Sequence, residues 1–328
     1  MKILTLSSLM TLVLAGLVFK TTATVHRVNS APGSAAAYSS VQAAHNAASS
    51  GDTLYLECSA VSYGNLDCTK SLTIIGSGYF LGQNPQTQAS PASAYIPFIQ
   101  FNASSAGSSV TGLSIGQIYL YTSDILINRN YLTGNNAIYQ ATGSPIGNII
   151  ITQNYFHTGA YWNTSINFPY PANNILISNN YLFGGISSTG SFSAVITNNV
   201  VSGSINCHNA IIKNNIHTAG SFTNNNCSIS FNLGYNNDFG NQNGNQSNVN
   251  MSNVFLGSTG NSTDGQWQLK PGSPAIGAGE GGADCGMYGG ALPYVLSGMP
   301  NIPSIYYLNA PAIPSNTINV SIKAKSHN

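Results

Sequence analysis

An eleven-residue pattern constrains this chain more than any other feature. Ile175 to Gly185 reads ILISNNYLFGG, and the same order of residue types returns along the middle of the sequence. Ile125 to Asn135 is ILINRNYLTGN, Ile149 to Gly159 is IIITQNYFHTG, Ala194 to Ser204 is AVITNNVVSGS and Ala210 to Gly220 is AIIKNNIHTAG. Cys227 to Asn237 (CSISFNLGYNN) and Asn248 to Gly257 (NVNMSNVFLG) are weaker copies. Each copy holds a short β-branched run, an asparagine, an apolar residue two places on, and small polar turn residues. The asparagines Asn130, Asn154, Asn180, Asn199, Asn215, Asn232 and Asn253 are spaced by 24, 26, 19, 16, 17 and 21 residues. A period near 20 with one strand per copy is a solenoid signature. The copies are too short for a strand plus a crossover helix, so they are expected to stack as coils of a parallel β-helix.

Stacking explains the residue types. Equivalent positions in successive coils lie one strand spacing apart, about 4.8 Å. Ile127, Ile151, Ile177, Ile196, Ile212 and Ile229 then form one inward column, and Leu132, Phe156, Leu182 and Val201 a second. An asparagine at a bend tolerates a left-handed backbone, and its amide can bond the asparagine of the next coil in a buried polar ladder. The pattern resembles the right-handed parallel β-helix repeats of pectate-lyase-like secreted proteins. The resemblance spans most of the chain. It implies an all-β, single-stranded right-handed parallel β-helix and no single activity, because that fold hosts lyases, hydrolases, adhesins and structural proteins.

Only 5% of the 328 residues are charged, with a net charge of +1, while 42% are hydrophobic. Low charge with this apolar content is not the composition of a disordered chain. A neutral surface rich in Asn, Ser, Thr and Gly lacks the Lys/Arg footprint of a nucleic-acid binder. It also sets little repulsion against self-association. Residues 1–23 read as a secretory signal, with Lys2 as the charged start, Ile3 to Phe19 as the apolar run and Thr21-Thr22-Ala23 as small residues for cleavage. The rival reading is an uncleaved anchor, but the run is short for a span. The expected location is secreted or cell-surface. Of the five cysteines, Cys58 and Cys68 flank one loop and are the expected disulfide. Cys207 and Cys227 lie one coil apart and either bond or fill inward slots, and Cys285 has no evident partner.

Residues 24–290 are expected to form the β-helix domain. Ser40 to Ser50 reads as a short helix before the strand Thr53 to Leu56, similar to the N-terminal cap of pectate-lyase-like β-helices. Gln83 to Tyr95 is a long loop, and Gly159 to Asn174 reads as a turn region carrying Tyr161, Trp162, Phe168 and Tyr170. Leu269 to Gly290, with Asp284 and Gly286, resembles the segment that finishes the last coils of secreted β-helix proteins. The tail 291–328 is rich in Pro, Tyr and Ile, and Thr317 to Ala324 alternates like one strand. It is expected to lie on its own β-helix, add to a neighbouring molecule or anchor the protein.

Lyase chemistry on this fold needs a carboxylate cluster for calcium and a base; hydrolysis needs close acids. No two acids here occupy equivalent positions of adjacent repeats, and no zinc-type cysteine spacing occurs. No metal or cofactor is expected. Arg129 lines up with Gln153, Asn179, Asn198 and Asn214 and reads as a solvated rung. His217 occupies the Leu132/Phe156 slot and points inward. His157, paired with Tyr155 or Tyr161, is the weak catalytic candidate. Tyr131, Tyr155 and Tyr181 follow their ladder asparagines and are expected to stack outward beside Tyr161, Trp162 and Tyr170. Such a strip suits sugar rings or a protein partner unless a loop covers it. The functional expectation is a secreted, non-catalytic β-helix protein that binds glycan or self-associates. The alternatives are a polysaccharide lyase or glycoside hydrolase with an atypical site, and a structural filament subunit.

Overall fold

The computed structural model describes residues 23–189, 191–310 and 319–327. The expected signal falls almost wholly outside them. Among the described residues no helix is long and apolar enough to cross a membrane.

The chain is an all-β parallel β-solenoid. Ten strands stack in chain order into one sheet, from Val25–Val28 and Thr53–Leu56 to Ile211–Lys213 and Ser228–Ser230. A second sheet of 14 strands bends into two faces. Its hinge is the strand Ser114–Leu120, whose start pairs with Tyr131–Leu132 and whose end pairs with Ile138–Gln140. Beyond the hinge, each coil makes a two-residue strand on a short face and a longer strand on a third face. Tyr155–Phe156, Tyr181–Leu182, Val200–Val201 and Ile216–His217 belong to the short face. Thr164–Phe168, Gly185–Ser188 and Ile205–His208 belong to the third.

The core follows from this three-sided section. Ile127, Ile151, Ile177, Ile196 and Ile212 are in register and fully buried, and Leu54, Ile74 and Val110 extend their column. Leu132, Phe156, Leu182 and Val201 form the second column, also fully buried. A third, from Ile118 through Ile138, Ile166 and Ile186 to Ile205, lines the third face. Each buried aliphatic contributes roughly 1.5–3 kcal/mol of transfer free energy.

The asparagine ladder is continuous. The backbone N–H of Asn154 donates to Asn180 Oδ1 at 2.8 Å, and its Nδ2 reaches the same oxygen at 3.0 Å and Ile127 O at 2.9 Å. The same links run Asn130–Asn154, Asn180–Asn199, Asn199–Asn215 and Asn215–Asn232. The left-handed conformation belongs instead to the residue before each rung: Arg129, Gln153, Asn179, Asn198, Asn214 and Phe231 have φ between 55° and 58°. The rung asparagine uses its side chain to bond; its predecessor makes the bend.

The ladder ends on Asn245, not Asn253. Asn232 N donates to Asn245 Oδ1 at 2.9 Å, only 13 residues on. Asn253 is exposed in a 3₁₀ turn, Met251–Asn253. The helix Val41–Ala47 buries Val41 and Ala44, but the edge strand Val25–Val28 precedes it. All five cysteines are free, including the expected Cys58–Cys68 and possible Cys207–Cys227 pairs. Cys58 Sγ faces Ser90 O, whereas Cys68 Sγ lies in the core against Lys70 O. Cys227 Sγ donates to Cys207 O at 3.2 Å.

The segment after Asn250 adds no coils. It turns back and runs along the outside of the short face, against the direction of stacking. The left-handed residues hold it. Asn214 Oδ1 accepts from Glu280 N, and Asn198 Nδ2 donates to Asp284 O. Asn179 Nδ2 reaches Met287 O and Gly289 O, and Gln153 Nε2 reaches Pro293 O. Arg129 bonds Met299 O and Asn301 Oδ1. Arg129 is therefore buried, not solvated. The tail then folds on itself as an antiparallel pair, Ser304–Asn309 with Ser321–Lys325. Ile318 of its expected strand lies outside the described residues.

Candidate functional site

The tyrosine strip exists in register, Tyr131 beside Tyr155 beside Tyr181. It is covered. Tyr155 and Tyr181 retain 2% and 3% of their surface. The loop after Ile75 lays Tyr79 and Phe80 on Tyr131 and Tyr155. The returning segment stacks Trp267 on Tyr181 at 4.3 Å. Tyr155 OH donates to Thr263 O at 3.2 Å and accepts from Trp267 Nε1. Burial pushes the Tyr181 phenol up to about 12 and the Tyr155 phenol up further. A parallel face apolar on both sides is stable only when both are covered, and the strap supplies that cover.

The cover is pinned by Asp264, which is fully buried. Its Oδ1 accepts from Asn84 Nδ2, Ser262 Oγ and Gly265 N, and its Oδ2 from Ser297 N and Tyr294 OH. Tyr79 OH and Tyr294 OH lie 2.7 Å apart, and burial raises both phenols well above their ordinary value. One carboxylate thus ties the loop to two parts of the strap.

The other expected site residues are separated. Tyr161 and Trp162 are 50% and 73% exposed and pack edge to face at 4.9 Å. Tyr170 lies at the opposite end of Thr164–Phe168, because the supposed turn region contains that strand. His157 is exposed and stacks flat on Phe183 at 4.9 Å, while the Tyr155 hydroxyl is committed to the strap. His217 points inward and is fully buried, with Nδ1 2.7 Å from Asp238 Oδ2 and Nε2 3.0 Å from Gly203 O. Both ring nitrogens face acceptors inside the coil, where a substrate has no access.

A different file is partly accessible: His157 and Tyr235 are exposed, Thr133, Phe183 and Thr218 half-buried, and Ser202 buried. Backbone bonds from Thr133, His157, Phe183, Ser202, Thr218 and Tyr235 to the preceding coil extend the short face by one residue. These side chains point outward in one row, beside the strap. Thr218 opens into a cavity of about 500 Å³ walled by Trp267, Phe255, Met251 and Leu256, with Gln266 and Ser252 as polar groups. No charged side chain lines it. On the far side, the loop carrying Tyr161 and Trp162 folds over a glycine column. A Cβ on Gly203 would meet Tyr161 O at 2.7 Å, and one on Gly184 would meet Asn163 O at 2.7 Å. The file thus runs between the aromatic residues of the strap and the backbone of this loop. The signal for this file was present, since each member stands three residues after a ladder asparagine. Its accessibility was not, because that depends on where the strap runs. Among the described residues no group of three His, Cys, Asp or Glu is placed to hold a metal ion.

No family model, curated protein or solved structure matches this chain.

Proposed function

We propose that the protein is a secreted or cell-surface, non-catalytic β-solenoid that binds an uncharged glycan chain along the groove beside its strap. The observation that carries this reading is the uncharged cavity of about 500 Å³ between Thr218 and the Trp267–Phe255 wall. Its volume lies in the usual range for small-molecule and sugar sites, roughly 300–1,000 Å³. Sugar rings bury their apolar faces on aromatic groups and leave hydroxyls for short polar side chains. The flat His157–Phe183 pair offers the first and the half-buried Thr218 hydroxyl the second in one row. The absence of charge in the lining favours a neutral ligand over an acidic one. The resemblance of the repeats to pectate-lyase-like secreted proteins agrees with an extracellular polysaccharide context.

The test is affinity electrophoresis and calorimetry with soluble β-glucan, mannan and dextran. At least one is expected to bind, with Phe255→Ala and Phe183→Ala each weakening it about five- to tenfold, near 1 kcal/mol per lost aromatic contact. Tyr170→Ala, outside the groove, is expected to leave affinity unchanged. Binding insensitive to both groove variants, or release of unsaturated oligosaccharides from a uronate polymer, would overturn the reading.

A further inference from the structure

A second cavity, of about 470 Å³, lies where three segments distant in the chain meet. The strap contributes Tyr288, Tyr294, Leu296 and Met299, the loop after Ile75 contributes Pro85, and the tail contributes Lys325 and His327. The volume falls in the range of small-molecule sites, roughly 300–1,000 Å³. Tyr288 OH donates to Asp264 O, and Tyr294 OH lies between Asp264 Oδ2 and Tyr79 OH. Neither phenol has a proton left to donate into the cavity, so the strap presents it with an essentially apolar wall.

The tail is docked at this cavity by specific bonds. Ser304 Oγ donates to Thr87 O at 2.6 Å, and Ala89 N to Ile305 O at 2.8 Å. His327 Nε2 lies 2.8 Å from Ser304 Oγ, and Lys325 Nζ donates to Gln86 Oε1 at 3.2 Å. These bonds hold two basic residues at the rim. The charge there has one sign. Residues 76–101 carry no charged side chain, and no Asp or Glu follows Asp284. Among the described residues no carboxylate pairs with Lys325. Its one neutral partner leaves two of the three ammonium donors for other acceptors. Asp264 lies behind the phenols and is saturated by the five donors already named. Burial, with the charges of Lys325 and Arg129, holds His327 below its ordinary value, in keeping with a positive rim.

We propose that this cavity binds a small organic carboxylate, with its apolar body against the strap and its acid group on the Lys325 ammonium. Both parts are required. Lys325 is exposed, and an ion pair at an exposed ammonium contributes little by itself. The apolar wall supplies the remaining affinity and the preference for a ring or an aliphatic chain. The positive rim separates this site from the uncharged cavity at Thr218, which has no group to hold an anion.

Nuclear magnetic resonance titration of the full chain tests this, with phenylpropionate, indoleacetate and octanoate as probes. The readout is the His327 ring signal, assigned by its loss in His327→Gln. At least one probe is expected to shift it with a Kd of about 1 mM or below, as befits a ligand of about ten non-hydrogen atoms. Acetate, the acid without the body, and the amide of the same probe, the body without the charge, are each expected to bind at least tenfold more weakly. Lys325→Ala is expected to weaken the probe about tenfold with the circular dichroism spectrum unchanged. Lys323→Ala, whose ammonium lies over the Tyr307 ring, is expected to leave affinity as it was. No shift from any probe up to about 10 mM overturns the proposal. So does equal binding of acid and amide, equal binding of acetate, or full affinity in Lys325→Ala.

Discussion

At each bend, two adjacent residues divide the labour. The first adopts a left-handed backbone, which asparagine and glycine tolerate best. The second turns inward and closes the ladder. Asn180 shows the consequence of losing a rung. Its Oδ1 accepts from Asn154 N and Asn154 Nδ2, and its Nδ2 serves Ile151 O. Asn180→Ala strands those buried groups, each worth about 1–3 kcal/mol. The expected loss is about 3 kcal/mol in urea unfolding. Asn253→Ala, at an exposed position that matches the repeat by eye, is expected to change stability by less than about 0.5 kcal/mol. Equal effects at the two sites would place the end of the ladder wrongly.

The strap is the element that decides how the short face is covered. It is held by one or two bonds each from Arg129, Gln153, Asn179, Asn198 and Asn214, spread along the stack, and by the Asp264 knot. Asn179→Gly keeps the left-handed bend and removes the bonds to Met287 O and Gly289 O. With Gln153→Gly added, about 2 kcal/mol of net hydrogen bonding is lost, which raises local opening roughly thirtyfold. Limited proteolysis is expected to cut the double variant first between residues 288 and 299, with the solenoid's circular dichroism spectrum preserved. Cutting within the coils instead would show that the strap is not the weaker unit.

The whole molecule should respond to alkali as one body. Tyr181 titrates near 12 because burial opposes its charged form, and Tyr79, Tyr155, Tyr288 and Tyr294 are raised further for the same reason. A phenol whose folded value lies above its unfolded value of 10.0 stabilises the fold in full below that pH. The contribution is lost as pH climbs through about 12. Tyrosinate absorbance and circular dichroism are expected to change together between about pH 10 and 12, in one cooperative step. Tyrosinate forming well before the ellipticity changes would mean that the strap opens without the coils.

Much of this protein was legible without coordinates because β-stacking repeats its demands. Ile127, Ile151, Ile177 and Asn154, Asn180, Asn199 each sit above their like, so the sequence pattern is the packing pattern. Those residues determined the fold class, two of the core columns and the ladder register as far as Asn232. Asn245 escaped because its coil carries no β-branched run beside it. What only the tertiary structure decided was which face is covered. The strap's path is a contact between segments 66 to 170 residues apart, and nothing periodic encodes it. It buries Tyr155 and Tyr181, makes Arg129 an anchor, and leaves Phe183 and Thr218 half-buried beside it.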